Sequence, residues 1–299
     1  MRVMIHENAL IALTAAASWG GGDFAGGMGA KASGGRVPGA IRFVILSHVI
    51  SLVVLMGILV KMHAGLPHGV AILWAMVGGF TGALGLVAFY IALSRGGMGV
   101  SAAVSGLLAA AIPALVSSVM EGSPGAMRLA GFALAGGAIW LIAAGDSPEK
   151  DFPEAKGGAG STMALSVFAG VAFGIYFVAL KLSNPLGLVV PMTIARMTSV
   201  ALCSLMLVGM ALTGPKERGA ANWFAGWGWA CGVALLDTGG NVLYLAATRM
   251  GRLDVASVLA SLYPAGTILL AAWYLKERPT GRQVTGMVAA LAAVAMVTL

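Results

Sequence analysis

The sequence predicts an all-α membrane protein, with ten transmembrane helices arranged as two inverted five-helix repeats around a central cavity. Three observations predict it. The chain carries only 18 Lys and Arg and 11 Asp and Glu among 299 residues, and 59% of it is hydrophobic; a soluble domain coats itself with roughly 25% charged residues. Its uncharged tracts are long enough for ten crossings of a hydrocarbon core that takes about 20 apolar residues per helix. The sequence also aligns on itself at a constant offset, through residue types that are rare in this chain.

This composition excludes a secreted disulfide scaffold, a nucleic-acid-binding domain and a disordered chain. The net charge of +7 comes from basic residues that stand singly between apolar tracts, where anionic lipid headgroups are the simpler partner. No nucleic-acid partner is expected. Cys203 and Cys231 lie inside apolar tracts and are expected as packing residues without a disulfide.

Charges, prolines and glycine-rich polar stretches punctuate the elements. The first crossing falls at 8–26. Arg2 before it and Ala15, Ala16 and Ala17 within it leave a cleavable signal sequence as the alternative, but the segment has a counterpart far inside the chain. Crossings at 38–60, 69–93, 99–119 and 126–144 complete a first repeat, 1–145. The polar stretch 146–160, with Asp146, Glu149, Lys150, Asp151, Glu154 and Lys156 between prolines and glycines, is a linker. Crossings at 162–181, 187–212, 222–247, 254–273 and 280–298 make the second repeat, 161–299.

A shift of 154 residues places Gly20 on Gly174, Arg42 on Arg196, Tyr90 on Tyr244, Ala92 on Ala246, Arg95 on Arg249 and Gly97 on Gly251. One residue later, Pro124 falls on Pro279 and Gly131 on Gly286. An odd number of crossings per repeat makes the second copy enter the membrane from the opposite face. Inverted halves that meet around an in-plane pseudo-two-fold axis, with substrate near the midplane, are a recurrent construction of secondary transporters.

Several segments carry a family resemblance. They are Ser18-Trp19-Gly20 with Phe24, Tyr90-Ile91-Ala92-Leu93-Ser94-Arg95, Tyr244-Leu245-Ala246-Ala247-Thr248-Arg249, Pro264, and Lys276-Glu277-Arg278-Pro279-Thr280. On these the chain resembles a ten-helix member of the drug/metabolite transporter superfamily, of the EamA type. The first copy departs from the acidic pre-helix signature, reading Met120-Glu121-Gly122-Ser123-Pro124. The resemblance implies a basket of two five-helix bundles around a central cavity, moving small metabolites, often outward. It also implies both termini in the cytoplasm and a multi-pass protein of the bacterial inner (plasma) membrane.

Helix eight gives the best internal site signal. Asp237, Asn241, Tyr244 and Thr248 fall on one helical face, and a carboxylate this far from either helix end needs a partner, a bundle interior or a water-filled cavity. Asp237 is read as a binder of a substrate ammonium or a carrier of a coupling proton, or else as an interhelical tie. Its repeat counterpart is Ala83. Arg42 and Arg196 occupy matching positions, where a guanidinium either holds a substrate carboxylate or charge, or snorkels to the interface. Asp23, in the glycine-rich exit of helix one, is expected at an interface or in a helix-end tie, and Arg95 and Arg249 as headgroup anchors.

Aromatic side chains are the selectivity candidates, because a flat apolar ligand or an organic cation stacks on them. They are Trp19 and Phe173, related by the offset, the pair Tyr90 and Tyr244, and Phe80, Tyr176 and Tyr263. Trp223, Trp227 and Trp229 suit an interface belt. Ser257 and Ser261, like Ser101 and Ser105, sit four apart and either line a wet path or let helices approach. Pro113 and Pro264 are hinge candidates within helices four and nine.

No phosphate loop is present for direct use of ATP. His6, His48, His63 and His68 show no familiar metal spacing, so neither metal nor cofactor is expected. The leading expectation is a monomeric secondary transporter, not an enzyme, that exports small amphipathic metabolites by alternating access. Aromatic or other apolar amino acids are first among them, membrane lipids surround it, and protons are a candidate coupling ion. The alternatives are a multidrug exporter of lipophilic cations and, remotely, a membrane-embedded lipid-modifying enzyme. Orientation is contested, because Lys and Arg counts favour external termini where the resemblance implies cytoplasmic ones.

Overall fold

The computed structural model describes every residue except 1, 35, 64, 96–97, 144–158, 214–225, 275–279 and 299. Among the described residues there is no strand. The helices are α1 (Arg2–Ala32), α2 (Val37–Lys61), α3 (Ala71–Ser94), α4 (Met98–Met120), α5 (Ala126–Ala143), α6 (Ala159–Leu182), α7 (Val189–Thr213), α8 (Trp227–Met250), α9 (Leu253–Ala260), α10 (Tyr263–Tyr274) and α11 (Gly281–Thr298), with a 3₁₀ turn at Asn184–Leu186. Seven spans are long and apolar enough to cross a membrane, and α5 and α11 are shorter apolar helices. The chain is a multi-pass helical membrane protein.

Over the described residues each predicted crossing except the ninth coincides with one helix, and the differences have local causes. The turn from α1 to α2 uses Gly34 at φ +95° and Pro38 in the first turn of α2, a left-handed position and a pre-set φ that suit a helix stop and start. α1 runs beyond its predicted ends. Most of it is buried against other helices rather than lipid, so it tolerates Asn8, Ser18 and Asp23 and needs no continuous apolar coat. The ninth crossing is broken at Ser261–Leu262. Pro264 has no N–H to offer the Ala260 carbonyl and its ring would clash there, so it sits second in α10 instead of inside one helix. Pro113 lies within α4, which runs through it without a break. Most of the predicted linker and the stretch 276–279 fall outside the described residues.

The packing repeats with the same arithmetic as the sequence. α1 and α8 run antiparallel, with Asn8 against Gly251, Trp19 against Gly240, Gly22 against Asp237 and Ala25 against Gly232. The equivalent pair, α6 and α3, sets Phe173 against Gly85 and Tyr176 against Gly82. Gly20 on α1 meets Gly266 on α10, and Gly174 on α6 meets Ile112 on α4, each one offset away. Gly131 on α5 meets Val297 on α11, and Gly286 meets Ile142. Exchange of the two halves leaves this set of contacts unchanged, as a pseudo-two-fold axis requires. First helices therefore pack on the third helices of the other half, and the space between them lies on the axis.

Candidate functional site

A cavity opens at this crossing point, near the middle of α1, α2, α3, α6, α7 and α8 and beside the break between α9 and α10. It holds about 530 Å³ of space not filled by atoms, part of it open to the outside, but leaves only about 40 Å³ to the centres of water molecules. That is room for a few waters. A drug-sized solute needs side chains or helices to move apart.

Its floor is polar. Arg196 on α7 is 4% exposed and forms an ion pair with Asp237 on α8. The same guanidinium reaches Thr238 Oγ1 at 3.1 Å and His48 Nε2 at 2.6 Å. Arginine only donates, so His48 Nε2 accepts and carries no proton. The ring proton is then on Nδ1, which donates to Ser199 Oγ at 2.6 Å, and His48 is neutral. Helical spacing arranges this: Arg196 and Ser199 are three apart on α7, and Asp237 and Asn241 four apart on α8. The arrangement fixes one arginine in place through α2, α7 and α8.

The walls are aromatic and small. Trp19 stacks on Phe177 with centroids 5.0 Å apart and planes 8° from parallel, and meets Tyr263 edge-on at 6.5 Å. Phe173 and Tyr176 line the cavity from α6, opposite Gly78, Gly79 and Gly82 of α3. Of the residues singled out from sequence, Trp19, Phe173, Tyr176, Arg196, Asp237, Asn241 and Tyr263 therefore share one cavity.

Others do not reach it. Tyr244 is a layer behind, fully buried, 4.6 Å from Phe177 between centroids and hydrogen-bonded to Ser257 Oγ at 2.7 Å. Tyr90 is equally buried beside Phe43. Ser261 is buried at the helix break. Phe80 is 48% exposed on the outer surface of α3, where lipid is its natural neighbour. Arg42 is half-buried near the start of α2, outside the cavity lining.

Sequence reasoning missed His48, Ser199 and Phe177, and placed Asp23 at a helix end. Asp23 lines the cavity, and the available signal was its position four residues after Trp19, one turn along the same face. Phe177 had a similar signal, four after Phe173. His48 had none, because a lone histidine in an apolar helix shows its partners only once α7 is in place. Among the described residues no group of His, Cys, Asp and Glu is arranged to hold a metal ion.

A second polar cluster ties the helix ends on the face that receives the α4, α6 and α8 C-termini. Glu121 lies 3.5 Å from Lys181 and accepts from Ser117 Oγ at 2.9 Å and the Leu253 N–H at 3.1 Å. Lys181 donates to the Thr248 carbonyl at 2.7 Å. Arg252 donates to the carbonyls of Glu121 and Gly122 and to fully buried Asp254 at 2.8 Å. The Asp254 carboxylate beside it holds the Arg252 guanidinium above its already high ordinary pKa. Glu121 is thus the acidic residue through which the first half grips the second at this end.

Comparison with known proteins fits this architecture. Residues 160–299 match the EamA-like transporter family. The matched stretch begins with α6 and runs through α11, so the EamA-like half supplies Phe173, Arg196, Asp237 and Asn241 to the cavity. The family is one of small-molecule membrane transporters. A crystal structure superposes on the whole chain with a TM-score of 0.72, at 17% identity over 98% of both chains, a likeness of fold. No curated protein sequence matches at a significant level.

Proposed function

We propose that the chain is a secondary transporter that exports small amphipathic metabolites by alternating access, with aromatic or other apolar amino acids first among its substrates. Two five-helix units, 1–145 and 161–299, joined by 146–160, rock about a shared site. The observation that carries this reading is the aromatic-walled, charge-bearing cavity at mid-depth on the axis that exchanges the halves. Its present size suits a narrow state, and the Glu121 cluster is a contact that one of the two open states must break. Energy comes from a solute or proton gradient, because a ligand moves the equilibrium only through its different affinity for the two orientations.

A second reading, export of lipophilic cations, draws on the same cavity, in which aromatic faces and carboxylates stand together. The deciding experiment loads proteoliposomes with labelled aromatic amino acids or organic cations and follows efflux with and without an imposed gradient. The expected result is saturable efflux of an aromatic amino acid, with Trp19→Ala reducing it by about tenfold or more through loss of a stacking surface. Saturable efflux of cations alone selects the second reading. Turnover of a lipid in detergent, without two compartments, would overturn both.

A further inference from the structure

The charged groups that face the cavity do not balance. Asp23, Asp237 and Arg196 are its formally charged lining residues. Arg196 is committed to Asp237, and His48 is neutral because its Nε2 accepts from that same arginine. Asp23 is left over, a carboxyl for which the described residues supply no hydrogen-bond donor and no cation, so its charge is uncompensated whenever it ionises. Its depth makes that surplus expensive. Gly22 packs against the backbone of Asp237, ten residues into α8, so Asp23 sits at the level of the buried ion pair and far from either surface, where an uncompensated carboxylate is costly. Such a carboxyl is neutral while it keeps its proton, and it can carry charge there only when a cationic occupant meets it.

A second observation identifies the kind of occupant. Asn241, 2% exposed, lines the same cavity, and its Oδ1 is buried without a donor. Buried polar atoms are almost always paired, so a ligand or solvent donor completes this one. A carboxylate and an amide oxygen are two acceptors. A primary ammonium has three N–H donors and one positive charge, and satisfies both while cancelling the surplus. Trp19, one turn before Asp23 on α1, stands beside them with Phe173 and Tyr176 completing the apolar wall.

We propose that Asp23 and Asn241 form the subsite for a ligand's primary ammonium group, with an aromatic body held by Trp19, Phe173 and Tyr176. The proposal rests on the transporter reading and narrows its substrate class to aromatic solutes that carry an ammonium. Asp237, the carboxylate that the sequence favoured for this role, is instead a strut whose charge Arg196 already cancels.

The test uses full-length protein in detergent and three probes with the same aromatic body: phenethylamine, L-phenylalanine and phenylpropionate. Calorimetric titration is expected to show binding of the first two and none of the third. Asp23→Asn should weaken phenethylamine binding about tenfold or more, the scale of a lost charge-assisted hydrogen bond, and Asp23→Glu should restore most of it. Removing an uncompensated charge should leave the ligand-free melting temperature of Asp23→Asn at or above that of the parent. If that variant does not fold, Asn241→Leu provides the same readout. Equal affinity in the variants, tight binding of phenylpropionate, or no phenethylamine binding by the parent overturns the subsite. Proteoliposome flux, run alongside, separates the two claims. Asp23-dependent binding without flux keeps the subsite and sinks the transporter, whereas flux of the same amine undiminished by Asp23→Asn sinks the subsite and keeps the transporter.

Discussion

The two halves start from matched residues and end in different environments. Arg42 and Arg196 correspond, yet Arg196 is buried in an ion pair while Arg42 stays half-buried near its helix start. Tyr90 and Tyr244 correspond, yet Tyr244 donates to or accepts from Ser257, while the Tyr90 hydroxyl is buried with no partner among the described residues. The residues that correspond to the partners differ in type. Asp237 corresponds to Ala83, and Ser257 to Ala103. Backbone packing obeys the pseudo-symmetry because glycine and alanine contacts are generic. Polar chemistry does not, because each polar pairing depends on the particular side chain that stands opposite, and those side chains differ between the halves. The second half therefore supplies most of the polar residues of the cavity, and the first half contributes Asp23, whose counterpart in the second is Phe177.

The largest effect should come from breaking the arginine's partnership. Asp237→Ala leaves Arg196 buried and unpaired, a change expected to cost about 3–5 kcal/mol, read as a lower midpoint in unfolding of the detergent-solubilised protein. Arg196→Met combined with Asp237→Leu should recover most of that loss, since both desolvation penalties disappear together. In the first half, Arg42→Met retains the aliphatic stem and should cost less than about 1 kcal/mol. Equal losses at positions 42 and 196 would mean that depth of burial does not make the difference.

The helix-end cluster gives the next effect, on conformation more than on stability. Glu121→Gln removes the charge that holds Lys181 and weakens the acceptor for the Leu253 N–H. Halves that grip each other less at this face should spend longer open there. In a background without Cys203 and Cys231, a cysteine at buried Ser183, next to this cluster, should react with a membrane-impermeant maleimide several-fold faster when Glu121→Gln is added. An unchanged labelling rate would make the cluster a static brace.

Much of this was legible in the sequence, for reasons that also explain what was not. Ten crossings were readable because hydrocarbon demands long apolar tracts. The offset of 154 was readable because arginine and tyrosine are rare in this chain, and the same offset reappears in Gly20 with Gly266 and Gly174 with Ile112. The break before Pro264 was half legible: proline announced a disturbance in the helix without saying that α9 would end outright at Ala260. Trp19, Arg196, Asp237 and Asn241 were nameable because polar or aromatic residues on an apolar helix stand out. Which of them would be neutralised was not, since that depends on α2 and α7 delivering His48 and Ser199 to the same arginine across about 150 residues of chain. For the same reason the sequence could not say that Asp237 would be ion-paired and that Asp23 would line the same cavity. Both are acidic residues within apolar helices in the sequence, and only the position of one guanidinium decides which of them is ion-paired.

The smallest effects test the comparison most finely. Tyr244→Phe removes a made hydrogen bond to Ser257 and should cost about 1 kcal/mol. Tyr90→Phe removes a buried hydroxyl that has no partner among the described residues, so it should be neutral or stabilising by up to about 1 kcal/mol. The same chemical change is thus expected to have opposite signs in the two halves. If position 103 is what distinguishes them, Ala103→Ser should supply the missing acceptor and donor where Ser257 supplies it in the other half, raising the unfolding midpoint modestly. In that background Tyr90→Phe should become destabilising by about 1 kcal/mol, and the non-additivity of the double-mutant cycle reports the new hydrogen bond directly. A cycle that closes with no interaction energy would show that the two interfaces differ in geometry as well as in residue type, and the exchange symmetry would then stop at the backbone.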